Sequence, residues 1–406
     1  MADLQFQMLD FWEEEERVRV NLSKRFYLYM SKIELKSIAP FNLNPKDKHS
    51  IFFDCPQQRA EHRFLNILTQ KMPELKTIGT NNPAVYIHKN SDIPLIGSLS
   101  FGIIHRGTSI IEIKPQTACN LDCIYCSVNE GLSSNQTDYL VERDYLVEEF
   151  KRMAEFVHVP VEAHIGVQGE PLFYAEFADL CRELSQLPYV YRITTDTNGT
   201  LLHKKLIDEL AQIPKVRLNI SLNAVDPVIA SKMAGTNYNT KHVMEMATYA
   251  ASKMDILIAP LFVPGYNDDE LLKVVEFAKT LPPKDYPMVG IQNFLNYTTG
   301  RNPTKQMDWD PFMSKLRELE KKTGMRLILD FKKDFHVAQT KQLPKPFKKG
   351  HKVMAKIVAL GRYPKTRLAV AGERNITIFA CDAPLGKEVR IKILRSKHNI
   401  FFGKEV

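Results

Sequence analysis

The 406-residue sequence is poor in cysteine, and only three of its six cysteines stand together; Cys55, Cys181 and Cys381 lie far apart. That usage argues against a disulfide framework. No apolar run approaches the roughly 20 residues that a membrane span requires. The opening stretch MADLQFQMLDFWEEEERVRV has no basic start followed by an apolar core. No secretory signal is read, and a cytoplasmic, non-membrane protein is expected. In that compartment clustered cysteines point to metal binding or catalysis. Acidic residues are scarce in the last sixth of the chain. Residues 341–406 carry 16 Lys plus Arg against 4 Asp plus Glu, whereas residues 1–340 carry 39 against 43. A charge step this sharp predicts a domain boundary and a polyanionic partner for the tail.

The length implies two or three domains. Residues 1–105 combine a helical start with short apolar pieces such as SIFFDC and PAVYIH; this extension receives no function, and Cys55 reads as a buried thiol. Over 106–330, β-branched runs alternate with amphipathic helical stretches. The runs are SIIEI (109–113), EAHIGV (162–167), YRITT (191–195), VRLNIS (216–221), ILIAPLF (256–262) and VGIQNF (289–294). The alternation predicts an α/β fold with a parallel sheet, helices outside, closed into a partial or full barrel. Cys181 falls in a helical pattern and reads as packing. A linker at 331–346 leads to residues 347–406. There KVMAKIVAL, RLAVAG, NITIFAC, VRIKIL and NIFFGKEV alternate with turn chemistry, predicting a small antiparallel β-barrel.

Directly after the first strand, CNLDCIYC places Cys119, Cys123 and Cys126 at C-x3-C-x2-C spacing. A structural zinc site wants four protein ligands, and no nearby Cys or His completes the set. A dithiol redox pair needs only Cys123 and Cys126 and leaves Cys119 unexplained. A [4Fe–4S] cluster can be held by three thiolates on one loop, with one iron open.

The loop, with Tyr125 just before its third cysteine, resembles the signature of the radical SAM superfamily. The resemblance covers about residues 108–300. It implies a partial (β/α)6 TIM-like barrel, a [4Fe–4S] cluster on Cys119, Cys123 and Cys126, and S-adenosylmethionine on the open iron. The implied chemistry is reductive cleavage to methionine and a 5′-deoxyadenosyl radical that abstracts hydrogen from substrate. The strand ends fit. Gln168, Gly169 and Glu170 resemble the family's GGE element for the methionine amino group, with Gln in place of the first glycine. Asp196 and Asn198, in TTDTNGT, sit where polar contacts to the cofactor fall. Ser221 and Asn223 match a position that bonds ribose or carboxylate, VPGYND resembles a segment near adenine, and Gln292 with Asn293 stands where backbone meets the adenine edge. Tyr125 is expected beside the adenine. Arg301 and Tyr297 are read as substrate-side groups.

The tail resembles a TRAM domain, a small OB-like barrel appended to RNA-modifying enzymes, through KKGHKVMAKIVAL, RLAVAG and DAPLGKEVRIKIL. Its expected RNA contacts are Lys349, Lys352, Lys356, Arg362, Arg367 and Arg374, with Lys348, Lys365 and Arg395 beside them and Tyr363 or Phe402 as stacking aromatics. Absences narrow the class further. The three scattered cysteines argue against a second cluster, and no D-x-H-x-x-G element marks a cobalamin domain. The leading expectation is an enzyme that modifies a nucleotide in tRNA or rRNA, fed by a low-potential donor such as ferredoxin or flavodoxin. The alternatives are a radical enzyme acting on a protein or small metabolite, with the tail only a dock, and a non-enzymatic iron–sulfur electron carrier or sensor.

Overall fold

The computed structural model describes residues 1–44 and 46–406. Its N-terminal extension is mostly β, not helical at its start. Ala2, Leu4, Leu9, Phe11, Val18, Val20 and Leu22 are buried at alternate positions, a period of two that fits strands. The strands are Ala2–Gln5, Leu9–Glu13, Arg17–Leu22 and Phe26–Ser31. The glutamates Glu13–Glu16 lie at the turn between Leu9–Glu13 and Arg17–Leu22, which pair antiparallel.

The central sheet has the order Asp255–Ile258, Val216–Ile220, Val190–Thr197, Val161–Ile165, Ile110–Lys114 and Gly102–His105. Its first five strands run parallel and the last is antiparallel. Helices such as Arg143–Val157 and Phe177–Gln186 alternate with them. The run expected at 256–262 breaks at Ala259–Pro260 into Asp255–Ile258 and Leu261–Phe262, since proline offers no N–H to a ladder. The sixth run yields only Gln292–Asn293, parallel to Leu261–Phe262. Among the described residues no ladder joins it back to the first strands, so the barrel stays partial.

Strand alternation divides the faces. Ile111, Ile113, Ala163, Ile165, Leu218 and Ile220 enter the main apolar core. The intervening Glu112, Glu162, His164, Asp196, Arg217 and Asn219 share the inner face. Across neighbouring strands Glu112 stands opposite His164, His164 opposite Thr194, and Asp196 opposite Asn219.

The five tail runs form a closed barrel of Lys352–Leu360, Thr366–Ala371, Arg374–Phe379, Glu388–Arg395 and Phe402–Glu405. Ile357, Ile376, Ile378, Val389, Ile391, Ile393 and Phe401 give it a core of its own. One contact departs from the antiparallel expectation: Arg374–Phe379 and Phe402–Glu405 pair parallel to close the barrel. The connecting segment is docked rather than free, with a short helix Phe331–Asp334 and backbone bonds from Ser109 N to Ala338 O (2.8 Å) and from Thr340 N to Gly107 O (2.9 Å).

Candidate functional site

The C-terminal ends of the parallel strands surround a cavity of about 350 Å³. All three loop cysteines line it, as do Tyr125, Gly169, Glu170, Asp196, Asn198, Ser221, Asn223 and Gln292. Residues as distant in sequence as Cys119 and Gln292 are thus gathered at one end of the sheet, where loops of parallel barrels build sites.

The cysteine loop is braced on several sides. Asp122 N donates to Ala234 O (2.9 Å) and Ile124 N to Met233 O (3.0 Å), tying it to the helix Pro227–Ala234. Arg301 is not aimed at the cavity as a substrate-side group. Its guanidinium pairs with Asp122 (2.8 Å) and donates to Cys123 O (3.2 Å), Asn129 Oδ1 (2.8 Å) and Ser133 Oγ (3.0 Å), while its own N–H donates to Cys126 O (2.8 Å). Tyr297 does line the cavity.

The loop after strand Val161–Ile165 presses against the foot of the cysteine loop. Gly169 has φ +64°, and a Cβ there would stand 2.3 Å from Thr117 O and 2.5 Å from Ala118 O. Glu170 N donates to Ala118 O (2.9 Å), and Gln116 Nε2 bridges Glu170 O (2.6 Å) and Ala118 O (3.1 Å). The Glu170 carboxylate accepts from Thr197 Oγ1 (2.7 Å), Asn198 N (2.8 Å) and Leu172 N (3.1 Å). Burial nonetheless pushes its carboxyl up to about 7. A cationic amine is the natural partner for such a buried acid. Asn223 donates to Tyr125 Oη and accepts from Leu261 N (2.8 Å). Asn198 Nδ2 reaches Asn120 on the cysteine loop (2.9 Å).

The residues present fit an iron–sulfur cluster and an amino-acid sulfonium. Three half-buried thiols share one cavity. Desolvation pushes Cys123 up to about 12 and raises Cys119 and Cys126, while Arg301 pulls Cys123 and Cys126 back toward the thiolate. Among the described residues no three Cys, His, Asp or Glu side chains are gathered closely enough to hold a metal ion as they stand. What the loop offers is three thiols on one wall, with Glu130 N donating to Cys126 Sγ (3.1 Å).

Some wall residues escaped the sequence reading. Glu130, Val167, Phe294 and Leu295 also line the cavity. Val167 adopts φ +66°, a costly conformation for a β-branched side chain. Only the flanking Gly166 and Gly169 hinted at it. On the barrel, Lys348, Lys349, Lys352, Lys356, Lys365 and Arg395 are exposed, whereas Arg367 and Arg374 are half-buried and bonded to backbone or neighbouring side-chain oxygens. Arg362 is not a surface cation. It is 3% exposed, ion-paired with Glu130 and with Asp138 (3.2 Å). A lone arginine in a basic tail carries no sequence sign of such partners.

On the inner face, His164 Nε2 meets Asp196 Oδ2 (3.3 Å), and Asn219 donates to Asp196 Oδ1 (2.8 Å). Burial alone would lower His164, but Asp196, Glu162 and Glu112 hold it up to about 9. Burial alone would raise Asp196, but His164 and Asn219 keep it below the usual range. The aspartate's contribution fades only under acid. The histidine's is complete below about 6.5, its unfolded value, and is lost as pH rises through about 9. Urea midpoints of the iron-free chain are therefore expected to fall between about pH 6.5 and 9, and His164→Gln to flatten that fall. Equal slopes for the two proteins would contradict the ion pair.

Residues 113–278 match the family model described as the radical SAM superfamily. The uncharacterized protein MJ0103 of Methanocaldococcus jannaschii is 36% identical over 95% of this chain and 96% of its own length. The GTP 3′,8-cyclase of Limosilactobacillus fermentum is 30% identical over 42% of this chain, which spans 50% of that enzyme. A structure of Streptococcus suis SuiB bound to S-adenosylmethionine aligns with 14% identity and a TM-score of 0.40, covering 79% of this chain and 69% of that one.

Proposed function

The chain carries a radical SAM superfamily domain and belongs to one family with MJ0103; on that premise we propose that it is a radical SAM enzyme acting on a nucleotide in tRNA or rRNA. The observation carrying the chemistry is the convergence of three cysteines and eight polar or glycine positions on one cavity. Cys119, Cys123 and Cys126 would hold the [4Fe–4S] cluster. Together with S-adenosylmethionine it supplies, once reduced, a 5′-deoxyadenosyl radical. Glu170 receives the cofactor's amino group. Gly169 lets backbone approach without a side chain between. Ser221, Asn223, Asp196 and Asn198 would offer hydrogen bonds to its polar edges, and Tyr125 and Gln292 would stand on the adenine side. The electron comes from a low-potential donor of the ferredoxin or flavodoxin kind.

The polymer reading rests on the C-terminal barrel, read as TRAM-like. Lys352 stands directly opposite Lys392, and Lys392 opposite Lys404, on adjacent antiparallel strands. All three are exposed. Like charges abreast on one face repel, and a phosphate backbone relieves that cost while releasing counterions. Phe379 stacks on Phe402 (centroids 5.4 Å apart) with Arg395 over the second ring, which offers a platform for bases. The Lys352→Gln/Lys392→Gln/Lys404→Gln variant is expected to bind tRNA more weakly, its log affinity against log salt less steep by about 2. An unchanged slope would refute the barrel as the RNA face. Nucleoside mass spectrometry of tRNA and rRNA from cells with and without the gene then identifies the modified base. The GTP cyclase likeness favours a second reading, a free nucleotide as substrate, in which no RNA nucleoside changes.

A further inference from the structure

Behind the cysteine loop, side chains from all three regions meet at one carboxylate. Asp138 Oδ2 accepts from Thr77 Oγ1 of the N-terminal extension (2.5 Å), and its Oδ1 accepts from Thr117 Oγ1 at the foot of the cysteine loop (2.7 Å). Arg362, from the turn between the first two strands of the C-terminal barrel, donates to the same Oδ1 (3.2 Å), to Thr117 Oγ1 (3.2 Å) and to Thr137 O. Its other nitrogen pairs with Glu130. Glu130 lines the cofactor cavity, and its N–H donates to Cys126 Sγ. Arg362, Glu130, Asp138 and Thr117 are all buried.

We propose that Arg362 is a positioning residue of the cofactor site: the C-terminal barrel inserts it to fix residues 117–138 around the three cysteines and to set the charge beside Cys126. The inference rests on the reading that those cysteines hold the cluster. A buried cation next to a cluster ligand favours the state with the added electron, because low surrounding polarity leaves the attraction little screened. Glu130 acts in the opposite sense. Breaking such a buried pair leaves an uncompensated charge, so the two partners should shift the cluster in opposite directions. A bracket that merely stiffened the fold would not produce opposite signs. The guanidinium fork also matters apart from its charge. Lysine keeps the charge but cannot serve Asp138, Thr137 and Glu130 together.

The test is an anaerobic redox titration, followed by electron paramagnetic resonance, of the reconstituted full-length chain and its Arg362→Gln, Arg362→Lys and Glu130→Gln variants. Hydrogen–deuterium exchange of residues 117–138 is measured in the iron-free proteins. Expected are a more negative midpoint for Arg362→Gln, a more positive one for Glu130→Gln, and a near wild-type midpoint for Arg362→Lys with faster exchange in both arginine variants. If Arg362→Gln sheds its cluster, the other two variants carry the comparison. A wild-type midpoint in loaded Arg362→Gln or Glu130→Gln, or shifts of the same sign in those two, would overturn the inference alone. A wild-type chain that takes up no cluster would overturn the underlying reading with it.

Discussion

Gly169→Val is expected to leave the chain unable to retain a full complement of iron, with a stability loss on the order of 3 kcal/mol from backbone strain and crowding. The residue holds φ +64°, where L side chains are rarely found, and the space a Cβ would need is filled by Thr117 O and Ala118 O. Those carbonyls belong to backbone, not to a flexible side chain, and Ala118 immediately precedes Cys119. Relief must come from moving the cysteine loop or the loop carrying Glu170. Either movement breaks the Glu170 N to Ala118 O bond and the Gln116 bridge. Gly79, by contrast, has φ +98° with nothing within 4 Å of where a Cβ would stand, so Gly79→Ala tests backbone strain without the collision. Iron content per chain and urea midpoints check the pair. Gly169→Val with normal iron would contradict the tight approach.

Cys123→Ala should abolish 5′-deoxyadenosine formation, reducing it to the level without enzyme. Three thiols are the least that the loop can offer a cubane cluster with one open iron, and the chain has no spare near them. Cys55, Cys181 and Cys381 belong to other parts of the fold, the latter two buried, Cys181 in the main core and Cys381 in the barrel core. The fold itself should survive, because Cys123 is half-buried at a cavity wall rather than packed on all sides. Near wild-type unfolding of the iron-free variant, together with loss of the cluster's visible absorbance, is the expected pattern. Product formation undiminished by the substitution would remove the cysteine loop from the chemistry.

The gathering of these residues at one cavity was legible because they fall where parallel strands end. A strand of β-branched residues followed by polar and glycine-rich turn residues can be read locally, and each of Glu170, Asp196, Ser221 and Asn223 follows such a run. The barrel was legible for the same reason, its five strands matching five alternating runs. Other features depend on partners distant in sequence. The start of the chain reads as helical until the alternate burial of Leu9, Phe11, Val18 and Val20 reveals a hairpin. Arg301 resembles a free loop cation until Asp122, Asn129 and Ser133 are placed around it, at separations of more than 160 residues. Arg362 belongs to a run of basic residues and differs from them only through Glu130 and Asp138, the second of them 224 positions earlier. Its burial changes the meaning of the tail: the same barrel that exposes a row of lysines also contributes a side chain to the wall behind the three loop cysteines.

The most direct test of the account is to incubate the anaerobically reconstituted, reduced chain with S-adenosylmethionine and quantify 5′-deoxyadenosine and methionine. The account predicts both products, in amounts that depend on reductant and on loaded iron. A fully iron-loaded chain that binds S-adenosylmethionine and forms neither product would contradict it.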